Sequence, residues 1–261
     1  MIILLCTTCK KNGGGSAKPL YLSKVFINDL LSEEYIYSSD MNAVRRNGYN
    51  TSGGQSTFAG FRLYEYENGL MRSMLQYNKD SELSNRYDIL YDGSEKITRV
   101  NMLGADGVID YYWLYEYDNN QQLSKMVTYT PNPTKKQGEW QLKYNTPNNL
   151  VSIKRYYLSL GNMILNDSAT FTYADKTIPA HWQLFEELMV EFPGDKTLLC
   201  IPATSYYYYL AGGPPTKSNH TFSQKTYNGH GYLTSQQYKL EVDNGLGTTT
   251  TNYNLKYEYI E

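Results

Sequence analysis

Apolar and polar positions alternate along most of this chain, and one phrase punctuates the alternation: aromatic–x–Tyr, a polar turn, then an aliphatic residue. It reads Tyr64-Glu65-Tyr66 followed by Leu70, and most clearly Tyr115-Glu116-Tyr117 followed by Leu123. A period of two places the rings on one face of a strand and the carboxylate on the other. Asn68-Gly69, Asp92-Gly93 and Asn119-Asn120 tolerate the positive φ that tight hairpin turns require. The return strand alternates too, with Leu123, Lys125, Val127 and Tyr129 on one face and Ser124, Met126 and Thr128 on the other. Looser stretches, such as residues 104–107 and Pro131-Asn132-Pro133, lead to the next copy. Each unit predicts a hairpin.

The second tyrosine of each copy falls at 37, 66, 91, 117, 144, 173, 227 and 259, giving steps of 29, 25, 26, 27, 29, 54 and 32. The step of 54 is twice 27, which suggests one overwritten copy between Tyr173 and Tyr227. The expected fold is all-β: tandem antiparallel hairpin repeats forming a curved or barrel-like meander. Tyr66, Tyr91, Tyr117 and Tyr144 are expected at equivalent, mostly buried strand positions. One segment departs from the pattern. Trp182, Phe185, Leu188 and Met189 have helical spacing and predict a short helix near 181–190.

Composition adds 28 tyrosines against seven Phe and three Trp, a balance suited to half-buried pleated surfaces and to sugar or protein contacts. With 24 basic and 26 acidic side chains the formal charge is −2, so the chain carries no basic footprint for nucleic acid. It contains no apolar run long enough for a spanning helix. Cys6 and Cys9 form a lone CxxC, but a zinc site needs two further ligands at matching spacing. Their setting points elsewhere. An apolar stub ends in a small residue, then Cys9, then Lys-Lys-Asn and three glycines. This predicts residues 1–9 as a partial lipoprotein signal peptide with Cys9 as the acylated residue. Residues 10–19 follow as a flexible linker, and 20–261 as a single β-repeat domain.

The aromatic–x–Tyr phrase with its turn and following aliphatic resembles the YD repeats of RHS-type proteins, where Asp follows the tyrosine as it does here at Asp92 and Asp118. Together with the lipobox-like start, the repeat is similar to uncharacterised tyrosine-rich lipoproteins of Bacteroides-type bacteria. The resemblance implies β architecture and a cell-envelope location. It carries over no catalytic residue.

Motifs for chemistry are few. The three histidines, His181, His220 and His230, belong to no HExxH motif, and no GxSxG, P-loop or GxGxxG occurs. The expectation is a non-enzymatic binding or scaffold lipoprotein without cofactor or metal. Its membrane partner is reached through the lipid at Cys9, on the outer membrane and facing the periplasm. Its other partner is a glycan, a peptide or another envelope protein. Tyr206, Tyr207, Tyr208 and Tyr209, beside a Gly-Gly-Pro-Pro loop, are the candidate binding residues. Two alternatives stand: an envelope hydrolase using carboxylates of the repeat strands, and an outer-membrane β-barrel.

Overall fold

The computed structural model describes residues 21–146, 149–172, 203–208, 216–229 and 232–260. Cys9, the 181–190 segment, His181, Tyr209 and His230 lie outside the described residues. The odd-numbered strands are β1 (Tyr21–Ile27), β3 (Ala43–Asn50), β5 (Leu70–Asn78), β7 (Ile97–Gly104), β9 (Leu123–Pro131), β11 (Asn149–Ser159), β13 (Ala203–Tyr208) and β15 (Leu233–Asp243). The even-numbered strands are β2 (Leu30–Tyr37), β4 (Thr57–Glu67), β6 (Leu83–Tyr91), β8 (Ile109–Tyr117), β10 (Thr134–Thr146), β12 (Asn162–Thr172), β14 (Thr216–Tyr227) and β16 (Thr248–Ile260). Every strand pairs antiparallel with its sequence neighbours, and β1 pairs with β16, closing the meander into a barrel. No helix among the described residues is long and apolar enough to cross a membrane.

Seven of the second tyrosines fall at the ends of even strands; the eighth, Tyr173, lies outside the described residues just after β12. This corrects the reading of the long step. Strands β12, β13 and β14 are consecutive neighbours, so the described sheet lacks no hairpin there; the extra residues of the long step fall between β12 and β13, outside the described residues.

A second feature repeats with the phrase. The register slips between Ile36 and Tyr37, Glu65 and Tyr66, Leu90 and Tyr91, Glu116 and Tyr117, and Lys143 and Tyr144. A bulge adds local twist and bends the strand, so a bulge at the same place in successive hairpins curls the sheet toward closure. It also corrects the expected faces of β9. Leu123 pairs with Tyr117 and Met126 with Tyr115, so these two share a face, while Lys125 and Val127 take the other.

The tyrosine face is the inner one. In a ring one sheet thick, large side chains leave solvent only on the concave side. Val100 and Met126 are 0% exposed and Ile153 1%, and they form one cluster with Tyr35, Tyr64, Tyr87, Ile89, Tyr115, Leu142 and Tyr257. Burying each such side chain contributes about 1.5–3 kcal/mol. Outward positions alternate with these and include exposed Glu65, Glu116 and Lys143.

Six of the second tyrosines, Tyr37, Tyr66, Tyr91, Tyr117, Tyr144 and Tyr259, are half-buried rather than fully buried and pack against this cluster. Their hydroxyls link neighbouring hairpins. Tyr37 donates to the Leu22 carbonyl at 2.6 Å, Tyr91 to Met71 at 2.8 Å, Tyr117 to Ile97 at 2.9 Å, Tyr144 to Leu123 at 3.0 Å and Tyr259 to Leu233 at 2.6 Å. Each acceptor lies at the start of an odd strand, and for all but Leu22 on β1 that is the return strand of the preceding hairpin. The Tyr66 hydroxyl is buried without a partner, and Tyr227 is exposed. Both tyrosines keep the strand position.

Candidate functional site

Among the described residues, the inner wall holds one ion pair of Glu33 and Arg46 beside Tyr35, and a second across β9 to β12. There one register row runs Met126–Trp140–Arg155–Asp167, each residue directly opposite the next. Residues paired in this way project to the same side of the sheet, so a charge pair sits on the tyrosine face. The Nε of Arg155 donates to Oδ1 of Asp167, whose other oxygen accepts from Asn166 Nδ2 at 2.7 Å. The Arg155 guanidinium lies 5.0 Å from the centre of the Trp140 ring. Asp167 is 2% exposed, so the pair is held away from bulk water.

These side chains line a recess of about 370 Å³ together with Thr128, Tyr157 and Asn166. Its floor passes Gly138, where a Cβ would meet the Tyr156 carbonyl at 2.5 Å. Only glycine fits, because the register slips in β10 and in β11 bring the two backbones together there. A buried ion pair is weak evidence for stability, since well-packed apolar residues do as well or better in its place. This pair borders a recess, which makes it a candidate for binding.

A second polar cluster lies on the inner face of β14 and β15. Ser218 Oγ is 3.3 Å from Nε2 of His220, and the Tyr238 hydroxyl is 2.7 Å from Nδ1. Burial pushes the His220 imidazole down to about 4, so it is neutral at ordinary pH. A serine beside a neutral histidine has the outline of a nucleophile and its base. The third member, however, is a phenol stacked on the imidazole, not a carboxylate that would offset the charge of an imidazolium. The cluster satisfies its own hydrogen bonds within the wall.

The predicted tyrosines fall between these two clusters. Tyr208 is opposite Asp167 on one side and Thr216 on the other, Tyr206 is opposite Ala169 and Ser218, and Tyr207 is opposite Ser168 and Lys217. The backbone register thus brings Tyr206 and Tyr208 into the rows that hold the ion pair and Ser218. Sequence reasoning missed Trp140, Arg155 and Asp167, which belong to three strands. One signal was legible: Asp167 shares its strand phase with Ala169 and Phe171, an acid on the apolar side of β12. Asp106, by contrast, does what its turn suggests, its Oδ1 accepting from the Val108 amide at 3.0 Å. Among the described residues, no three His, Cys, Asp or Glu side chains are grouped to hold a metal ion.

No family model matches the chain, and no curated protein matches it in sequence. Among solved structures, a porin-like protein from Bacteroides uniformis superposes with a TM-score of 0.54 at 11% identity, covering 92% of this chain and 96% of that one. A porin-like protein from Bacteroides vulgatus gives 0.38 at 8% identity, over 91% of this chain and 98% of that one. The Photorhabdus luminescens Tc holotoxin pore gives 0.31 at 12% identity, with 85% of this chain matched to 13% of that one. The first of these shares the fold of the closed meander described above.

Proposed function

We propose that this chain is a non-catalytic binding module of the bacterial cell envelope, tethered to the outer membrane by a lipid on Cys9 and facing the periplasm. It engages a glycan, a peptide or another envelope protein through its inner wall. The observation that carries the reading is the Trp140–Arg155–Asp167 row, a buried ion pair beside an aromatic ring in a recess of the inner wall. Tyr206 and Tyr208 extend the site along β13 by register.

Two observations weigh against the alternatives. Glycoside hydrolysis needs two carboxyl groups across the bond that breaks, and Asp167 is the one carboxylate among the residues lining the recess. A membrane barrel needs an outward apolar band about 25 Å tall. Here the outward phase of β14 to β16 reads Asn219, Thr221, Ser223, then Gln237, Lys239, Glu241, then Asn252, Asn254, Lys256. Lipid tails would leave those groups unsatisfied.

The test is a glycan and peptide array probed with wild type, Trp140→Leu and Tyr207→Ala. Tyr207 is out of phase with Asp167, so binding through the inner wall should be lost in Trp140→Leu and kept in Tyr207→Ala. The opposite pattern would move the site to the outer face. For the anchor, the chain expressed with an upstream signal should partition into detergent, and Cys9→Ser should not.

A further inference from the structure

We propose that the recess between β9 and β12 takes a neutral pyranose sugar, an assignment that rests on the reading of the inner wall as a binding surface. A pyranose offers two kinds of surface: a flat patch of C–H groups and an edge of neighbouring hydroxyls that both donate and accept. The recess offers the complement of each. Trp140 supplies an aromatic surface, with the Arg155 guanidinium at 5.0 Å from the ring centre holding the two as one amphipathic wall. Asp167, accepting from Arg155 and Asn166, fixes the guanidinium and the amide at the recess, where the amide oxygen of Asn166 is an acceptor and the guanidinium a donor. Thr128 and Tyr157 add hydroxyls that serve as donor or acceptor. The volume of about 370 Å³ lies at the small-molecule end of the usual range of binding pockets.

Other ligand classes fit less well. An extended peptide gains affinity by adding to a free strand edge, and every strand along this recess is paired on both sides. An anion such as a phosphate or a uronic acid would meet Asp167, whose charge Arg155 already matches one to one. A neutral, hydroxyl-rich ring is the ligand whose groups answer all of these partners.

The experiment is isothermal titration of the folded protein with glucose, galactose, mannose, N-acetylglucosamine, glucuronic acid and inorganic phosphate, together with a random-sequence peptide pool. The variants are Tyr157→Phe, Trp140→Phe and Trp140→Leu, each checked for an unchanged strand spectrum. At least one neutral pyranose should bind. Tyr157→Phe should weaken it roughly two- to tenfold by removing one hydroxyl, and Trp140→Leu more than tenfold. Trp140→Phe keeps an aromatic ring and covers the case in which the leucine variant does not fold. A folded wild type that binds no neutral pyranose overturns the proposal. So does sugar binding that Tyr157→Phe and Trp140→Phe leave untouched. Peptide binding lost in Trp140→Leu, without sugar binding, overturns the sugar assignment and leaves the inner-wall reading standing.

Discussion

At the scale of single residues, the repeat is a device for placing one hydroxyl. A tyrosine that ends an even strand donates to a carbonyl of the preceding hairpin, as Tyr117 does to Ile97. Removing that hydroxyl in Tyr117→Phe should cost about 1 kcal/mol, read by chemical denaturation, because the Ile97 carbonyl loses its partner. Tyr66→Phe should be neutral or mildly stabilising in the same assay, since its hydroxyl is buried and unpaired. Equal losses for both would mean that the bonds do not matter. Burial pushes the Tyr91 phenol up to about 12 and those of Tyr37, Tyr66 and Tyr117 higher still. The tyrosines themselves were legible in the sequence; their partners were not, because the acceptors are backbone atoms about twenty residues away. His220 belongs to this scale too. Its folded value of about 4 lies below the ordinary 6.5. The unfolded chain therefore binds the extra proton first, and stability falls as pH drops from about 6.5 towards 4. The fall in melting temperature over that window should be smaller in His220→Gln than in the wild type.

At the scale of elements, the hairpin turns explain why the residue after the tyrosine is so often polar. Asp118 accepts from the amides of Asn120 and Gln122 at 2.8 and 2.9 Å, and Asp92 does the same for Ser94 and Lys96. Those bonds hold the Asp92 carboxyl below its usual value, the Lys96 amide contributing most. Asn78 repeats the arrangement between β5 and β6, where no tyrosine phrase ends. The left-handed residue comes three positions after this cap, at Ser81, Glu95 and Gln121. Gly93 and the Asn119-Asn120 pair, chosen from dipeptide preference, therefore do not carry the positive φ; Asn68-Gly69 does, with φ of 53° and 78°. Dipeptide rules assume a two-residue loop, and these turns are longer. Ser81→Gly should stabilise the protein by about 1 kcal/mol, because a left-handed backbone is costly for a residue with a Cβ. Asp118→Ala should destabilise it by a similar amount. No gain in the glycine variant would argue that the turn relaxes to another shape.

At the scale of the whole molecule, period-two alternation and a regular repeat were enough to foresee a curved meander. The closure was not legible, since it depends on pairing the first strand with the last. Neither was the polar row, whose three members come together only through the register of four strands. Along β14 to β16 the same closure places tyrosine and aliphatic residues inside and Lys, Glu and Asn outside. A chain starting at Lys18 should therefore stay monodisperse in water without detergent, whereas a barrel built to sit in lipid would aggregate. The most direct test of the closed ring is at its seam, where Lys24 on β1 stands opposite Glu258 on β16. With the native cysteines replaced by serine, Lys24→Cys and Glu258→Cys are introduced together and treated with a short bis-maleimide. The closed barrel predicts a rapid crosslink within one molecule and little with either single variant. A folded protein that stays unlinked, or links only between molecules, would contradict it.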